Sequence, residues 1–186
     1  MGERWDVINR FIRPESRYLE IGVDQGETWR RVNCVRKIGI DPDSRFATHH
    51  MTSDEFFACH DKACCGKFDV IFVDGLHLQD QAERDVENSI GMLALGGVIV
   101  IHDVIPRTMK HAQEERIAPE WYGTVWKAAV ALAFNPHVDF TVVEIPGGCG
   151  ILREGTQEIP SILPELALDP AYFFENARNT IYRMVP

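Results

Sequence analysis

No run in the chain approaches the roughly 18 apolar residues of a membrane span, and no basic stretch is followed by an apolar run and a small-residue cleavage site. Positive charge is in deficit: 19 Lys and Arg stand against 28 Asp and Glu, a formal net charge of -9. Phosphate binding needs a clustered basic face, so this balance argues against nucleic acid and for a small-molecule partner. Cysteine is sparse and odd in number, with Cys34, Cys59, Cys64, Cys65 and Cys149 scattered through 186 residues. Free thiols in a reducing compartment are the expectation, and with them a cytoplasmic protein without membrane attachment. The one cysteine cluster, CHDKACC at 59–65, offers Cys and His donors, but adjacent cysteines chelate a tetrahedral ion poorly and no second ligand pair stands at zinc-finger spacing.

The composition itself is that of a globular domain, 45% apolar and 25% charged. The length suits one domain, residues 1–186, made of a leading helix (1–14), a core (17–152) and a C-terminal extension (153–186). ERWDVINRFI places Trp5, Ile8, Phe11 and Ile12 at helical spacing before Pro14. RYLEIG, KIGID and, more weakly, FATHHM read as strands, with SDEFFACH a helix behind its Ser53 or Asp54 cap. FDVIFVDG is a nearly continuous apolar run, as expected of a strand covered on both faces. QDQAERDVENSIGMLAL carries a helical stripe of Val86, Ile90 and Leu93 that the Gly96-Gly97 pair should stop. GGVIVIHDV is again a buried strand, WYGTVWKAAVALAF a helix from about Thr124, VDFTVVEI and GGCGILRE a hairpin, and AYFFENARNTIYRM a closing helix.

Strands alternating with helices imply right-handed crossovers. The expected fold is α/β, Rossmann-like and doubly wound, with a mostly parallel seven-stranded sheet and an antiparallel final strand. Ligands of such sheets sit beyond the carboxyl ends of the strands. Those ends carry Glu20-Ile21-Gly22, Asp41, His49-His50 leading to Ser53-Asp54, Asp74 with His77, and His102-Asp103. Gly22 and Gly26 permit a tight turn and close backbone approach, and Asp41, nineteen residues after Gly22, is placed to accept bonds from ribose hydroxyls. The glycine order is G-x-x-x-G, with Val23 where a dinucleotide fingerprint has its middle glycine. A nucleoside cofactor other than a dinucleotide fits that pattern better.

These motifs resemble the class I S-adenosylmethionine-dependent methyltransferases: LEIGVDQG is similar to their first motif, IGIDPD to their acidic second-strand end, FDVIFVDG and LALGGVIVIHD to their fourth and fifth strands. The resemblance spans roughly residues 17–152. It implies S-adenosylmethionine as cofactor, with Gly22 and Gly26 beside the methionine moiety, Glu20 supporting that loop, Asp41 on the ribose, and Ser53 with Asp54 against adenine. VDGLHLQDQAERD followed by GGVIVIHDV is similar, more narrowly, to the branch of metal-dependent sugar O-methyltransferases. That likeness implies a divalent metal, magnesium or manganese, held by Asp74 and Asp103, and His77 as the base. His102 departs from the branch, which has a carboxylate there; as a ligand it would favour manganese, iron or zinc over magnesium.

After the fifth strand, Trp121 and Tyr122 are candidates for a lid over the acceptor, Arg107 or Lys110 for an anionic group, and Trp126 falls on a core stripe with Ala129, Val130 and Ala133. The expected reaction is methyl transfer to a sugar-like hydroxyl, with a homodimer completing the pocket. A nicotinamide-dependent oxidoreductase is the rival, weakened by the missing glycine and the absence of a Ser-Tyr-Lys set. A non-catalytic cofactor-binding protein on the same fold is the other.

Overall fold

The computed structural model describes residues 2–59, 66–117 and 119–186. Residues 60–65 of the cysteine cluster lie outside the described residues; Cys59 is a free, exposed thiol. The chain divides into two compact units, Met1–Leu76 with Gln81–Val100, and His77–Asp80 with Ile101–Pro186. A seven-stranded sheet runs in the order β2-β1-β3-β4-β6-β5-β7.

The first unit begins with α1 (Arg4–Asn9), shorter than its periodic pattern, whose Asp6 carboxylate accepts the Glu3 N–H at 2.9 Å. Next come β1 (Arg17–Ile21), α2 (Glu27–Arg31), β2 (Arg36–Ile40), α3 (Ser53–Cys59), β3 (Phe68–Val73), α4 (Gln79–Met92) and β4 (Leu93–His102), whose first residues lie in this unit. β1 pairs in parallel with β2, Ile21 opposite Ile40, and with β3, Ile21 opposite Val73. Leu19, Ile71 and Phe72 are fully buried, as their continuous apolar runs require.

FATHHM does not form a strand; it makes one isolated bridge, Ile40 to His49. The Thr48 hydroxyl accepts the Gly39 N–H at 3.0 Å and donates to the Gly39 carbonyl at 3.1 Å, so a side chain takes the pairing positions a further strand would need. Helix α4 ends at Met92, not at the glycine pair, and Gly96 and Gly97 lie inside β4. Its buried face is Ala82, Asp85, Val86, Ser89 and Met92, while Ile90 is 51% exposed.

The second unit holds the end of β4, α5 (Val125–Ala133), β5 (Val138–Val143), β6 (Cys149–Glu154), α6 (Pro164–Ala167), α7 (Pro170–Asn176), a π-turn (Ala177–Ile181) and β7 (Met184–Val185). β5 and β6 form the expected antiparallel hairpin. The antiparallel strand β6 sits inside the sheet, however, and the last strand, β7, pairs in parallel with β5 at its edge. The closing helix therefore stops early: α7 starts at Pro170 behind its Asp169 cap, passes through the π-turn and turns to strand. Tyr182 fixes that exit, its hydroxyl donating to the carbonyls of Val104 and Trp126, both at 3.2 Å. Trp126, as its stripe implied, is core, 4.4 Å from Phe173 between ring centroids.

Candidate active site

In the first unit the chain leaves β1 through Gly22, whose φ of +86° and close approach to the Asp74 backbone exclude any side chain: a Cβ there would stand 2.0 Å from the Asp74 carbonyl oxygen. The main chain ties the same points, Gly22 N–H to Ile40 O and Asp74 N–H to Ile21 O, each 2.9 Å. Gly26 (φ +70°) opens α2, with the Phe46 ring 2.7 Å from where its Cβ would be. Val23 is buried at 3% exposure, so no backbone groove for a pyrophosphate opens there.

Asp41 follows β2 directly. One of its oxygens accepts the N–H groups of Val23 (3.0 Å) and Asp24 (2.8 Å), the other those of Asp43 (2.9 Å) and Ser44 (2.8 Å). Burial pushes its pKa up, but these four bonds outweigh it and leave the group below the ordinary aspartate value. In this geometry the carboxylate binds two loops together.

Glu20 is 1% exposed inside β1. Tyr18 donates its hydroxyl to Oε2 at 2.7 Å, while Oε1 is buried with no hydrogen-bond partner among the described residues. Burial raises its pKa to about 8; the Tyr18 bond opposes this, the Asp74 charge adds to it, and Lys37 and Arg4 oppose it.

Ser53 and Asp54 open α3, where the Gln81 amide reaches Ser53 Oγ (3.1 Å), Asp54 Oδ1 (3.2 Å) and Asp85 Oδ1 (3.0 Å). Asp85 is buried, which raises its pKa despite hydrogen bonds from Ser53 and Gln81. Neither Asp85 nor Gln81 was singled out above; an acid on the buried stripe of α4, three residues after Ala82 and four before Ser89, was the available signal.

The second unit carries a different cluster. His77 Nδ1 lies 2.9 Å from the Trp121 carbonyl oxygen and 3.4 Å from Asp103 Oδ2, and the His77 and Trp121 rings stack 5.2 Å apart. Both neighbours accept hydrogen bonds, so in the neutral ring the proton sits on Nδ1 and the basic lone pair on Nε2. Asp103 is 4% exposed and held at φ +63°, a left-handed backbone that costs a non-glycine residue of order 1–3 kcal/mol. Its Oδ1 lies 3.1 Å from His102 Nδ1, and His102 Nε2 is 3.2 Å from the Pro146 carbonyl.

Gly147 (φ +80°) makes this possible: a Cβ would meet Asp103 Oδ1 at 2.5 Å and His102 Nε2 at 3.1 Å. The Pro-Gly-Gly turn was legible as a turn, but not as the support of this pair. Tyr122, 5% exposed, donates to Glu120 at 2.6 Å. Burial first, then that bond and the Glu120 charge, raise its pKa well above the ordinary phenol. Arg107 also pairs with Glu120 at 3.3 Å.

Residues 21–104 match the family described as "Methyltransferase domain". The match is to a methyltransferase domain and spans less than half of the chain. It contains both the Gly22 loop and the His102-Asp103 pair, and its fold recurs in solved structures. The chain is similar to an SAH-bound methyltransferase of Podospora anserina (19% identity over 75% of this chain and 72% of that one, TM-score 0.55). It is also similar to an O-methyltransferase of Bacillus cereus in complex with SAH (16%, 75% and 74%, TM-score 0.53). A third likeness is to the O-methyltransferase TomG of Streptomyces achromogenes, involved in tomaymycin synthesis and bound to SAM (18%, 75% and 73%, TM-score 0.54). At these identities the likeness is one of fold, the Rossmann-like fold of the methyltransferase domain. Among curated proteins nothing matches. No helix is long and apolar enough to cross a membrane among the described residues.

Proposed function

We propose that this methyltransferase moves a methyl group from S-adenosylmethionine (SAM) to a hydroxyl of a small, sugar-like molecule, with His77 as the base. The observation that carries the reading is the pairing of His77 Nδ1 with the Trp121 carbonyl and Asp103, which sets the ring tautomer with its proton on Nδ1 and its basic lone pair on Nε2. Bound SAM would supply an electrophilic methyl on a sulfonium, with a neutral thioether as the leaving group. His77 Nε2 takes the hydroxyl proton as the oxygen attacks, a contribution of about 10²–10⁴ in rate. Asp103 holds the ring in its tautomer and stabilises the imidazolium that results.

The residues of the first unit fit the cofactor. Gly22 and Gly26 give a loop without side chains, the orphaned Glu20 Oε1 is a buried acceptor suited to an ammonium group, and Ser53, Asp54 and Gln81 are polar groups for adenine. A ribose would bond Asp41 in place of one or more of its backbone N–H partners. Buried Val23 in place of a glycine weighs against a dinucleotide, and so against the oxidoreductase reading.

His102 and Asp103 offer a divalent cation an imidazole nitrogen and a carboxylate oxygen, and Asp74 is a further carboxylate candidate. That mixed set suits manganese at least as well as magnesium, and a cation there would acidify a coordinated hydroxyl.

Purified enzyme incubated with SAM and a panel of sugars and phenols, with magnesium, manganese or EDTA, should yield a methyl ether in at least one case. His77→Gln should lower kcat by 10²–10⁴ and leave the Kd for SAH within about threefold. Full turnover by His77→Gln would remove the base. Turnover in EDTA equal to that with manganese would remove the metal and leave the methyl transfer.

A further inference from the structure

We propose that Arg4, on the helix that precedes the matched segment, binds the α-carboxylate of the cofactor's methionine tail, so that α1 is part of the cofactor site. The inference rests on the SAM reading above and adds a residue to it. Arg4 Nε donates to Thr28 Oγ1 at 2.7 Å and lies 3.7 Å from Asp74 Oδ2, while Nη2 donates to Glu27 Oε2 at 3.3 Å. Thr28 is the buried second residue of α2, the helix that the Gly22–Gly26 loop opens into, and Asp74 is the residue whose carbonyl lies against Gly22. Arg4 thus reaches the floor of the loop from outside the matched segment.

An arginine that only stitched α1 to α2 would be served by Glu27 at the surface, where Arg31 already pairs with the same carboxylate at 3.4 Å. Instead its Nε points inward, to Thr28 and Asp74. The two hydrogen bonds use two of five N–H donors, and the side chain keeps 25% of its surface exposed, so donors remain for a ligand. The charge pattern points to the class of ligand. Around one loop stand a guanidinium, the Asp74 carboxylate and the orphaned Glu20 oxygen, the complement of a group that ends in both an ammonium and a carboxylate. A guanidinium is matched to a carboxylate by its planar fork.

The test is calorimetric titration of the full chain with two thioethers that share the adenosine: SAH, which has the amino-acid tail, and 5′-methylthioadenosine, which lacks it. Arg4→Gln should weaken SAH at least tenfold and leave methylthioadenosine within twofold. Equal losses for both ligands at an unchanged melting temperature, or none for either, would overturn the proposal and leave the SAM reading intact. Wild-type protein that binds neither ligand would overturn both. Should Arg4→Gln lower the melting temperature and lose both ligands, Arg4→Lys decides: it keeps the charge without the fork, and a reduced SAH preference supports the role, whereas an unchanged preference rejects it.

Discussion

The two units solve the same problem of holding polar groups in place with different means. In the first, the groups around the Gly22 loop are fixed by main chain: Asp41 takes four backbone N–H bonds, and Gly22 and Asp74 meet backbone to backbone. In the second, His77, His102 and Asp103 are held by one another and by the carbonyls of Trp121 and Pro146, with His102 at the last position of β4 and the other two outside regular elements. A frame of backbone tolerates little, whereas a net of side chains can shift and lose alignment without losing its fold. Catalysis is sensitive to alignment on that scale, since most of the acceleration in an in-line transfer comes from positioning.

Two glycines, each at positive φ, separate these behaviours. Gly22→Ala drives a Cβ to 2.0 Å from a backbone oxygen that cannot retreat, so it should lower the melting temperature and abolish SAH binding, the largest effect expected. Gly147→Ala meets the Asp103 side chain at 2.5 Å, which can turn aside. Activity should fall by about 10² while SAH affinity stays within threefold, because alignment is lost and the cofactor frame is not. If Gly147→Ala weakened SAH as severely as Gly22→Ala, the contrast between frame and net would fail.

Asp41→Asn probes the frame alone. An amide keeps one acceptor oxygen, so two of the four backbone N–H groups lose their partner, at about 1–3 kcal/mol each where they cannot reach water. Urea denaturation should show a loss of about 2 kcal/mol or more, with weaker SAH binding. Asp54→Asn, at a half-exposed side chain paired with Arg84 at 3.5 Å, should change stability by less than about 0.5 kcal/mol. Equal losses for the two substitutions would mean that the Asp41 bonds are not the strap between the loops.

How far each unit could be read in advance follows from the same difference. Gly22, Asp41 and Asp74 announce themselves because strand ends and glycine turns are local signals, visible in LEIGVDQG, IGIDPD and FDVIFVDG. The errors in the first unit were also local. Thr48 bonds back to Gly39 and leaves FATHHM as a bridge, and the chain turns to strand at Leu93, before the glycines that should have ended α4. In the second unit the decisive contacts join residues far apart in sequence, His77 to Trp121 across 44 positions and His102 to Pro146 across another 44, and no spacing rule connects them. His77 was found through the family resemblance; its orienting partners required the fold. β7, two residues long, has no pattern of its own and exists because Val142 opposite Met184 offers an edge.

A pH series tests the first unit in another way. Glu20 is held near 8, chiefly by burial, so near neutrality it is protonated in the folded chain and ionised in the unfolded one. The folded state then binds the extra proton, and stability falls as pH rises: the Glu20 contribution is whole below about 4.5 and is lost as pH passes through about 8. Over that window the slope is at most about 1.4 kcal/mol per pH unit. Tyr122, raised in the second unit by burial and Glu120, loses its contribution only in strongly alkaline solution, so it does not mask the effect. Urea midpoints of wild type and Glu20→Gln, measured from pH 5 to 8, should therefore diverge, the wild type losing stability relative to the variant as pH rises. A constant difference would mean that Glu20 is ionised in the folded chain throughout. The frame would then already contain the anion that Arg4, Lys37 and the cofactor's ammonium favour, and the orphaned oxygen would not wait on a ligand for its charge.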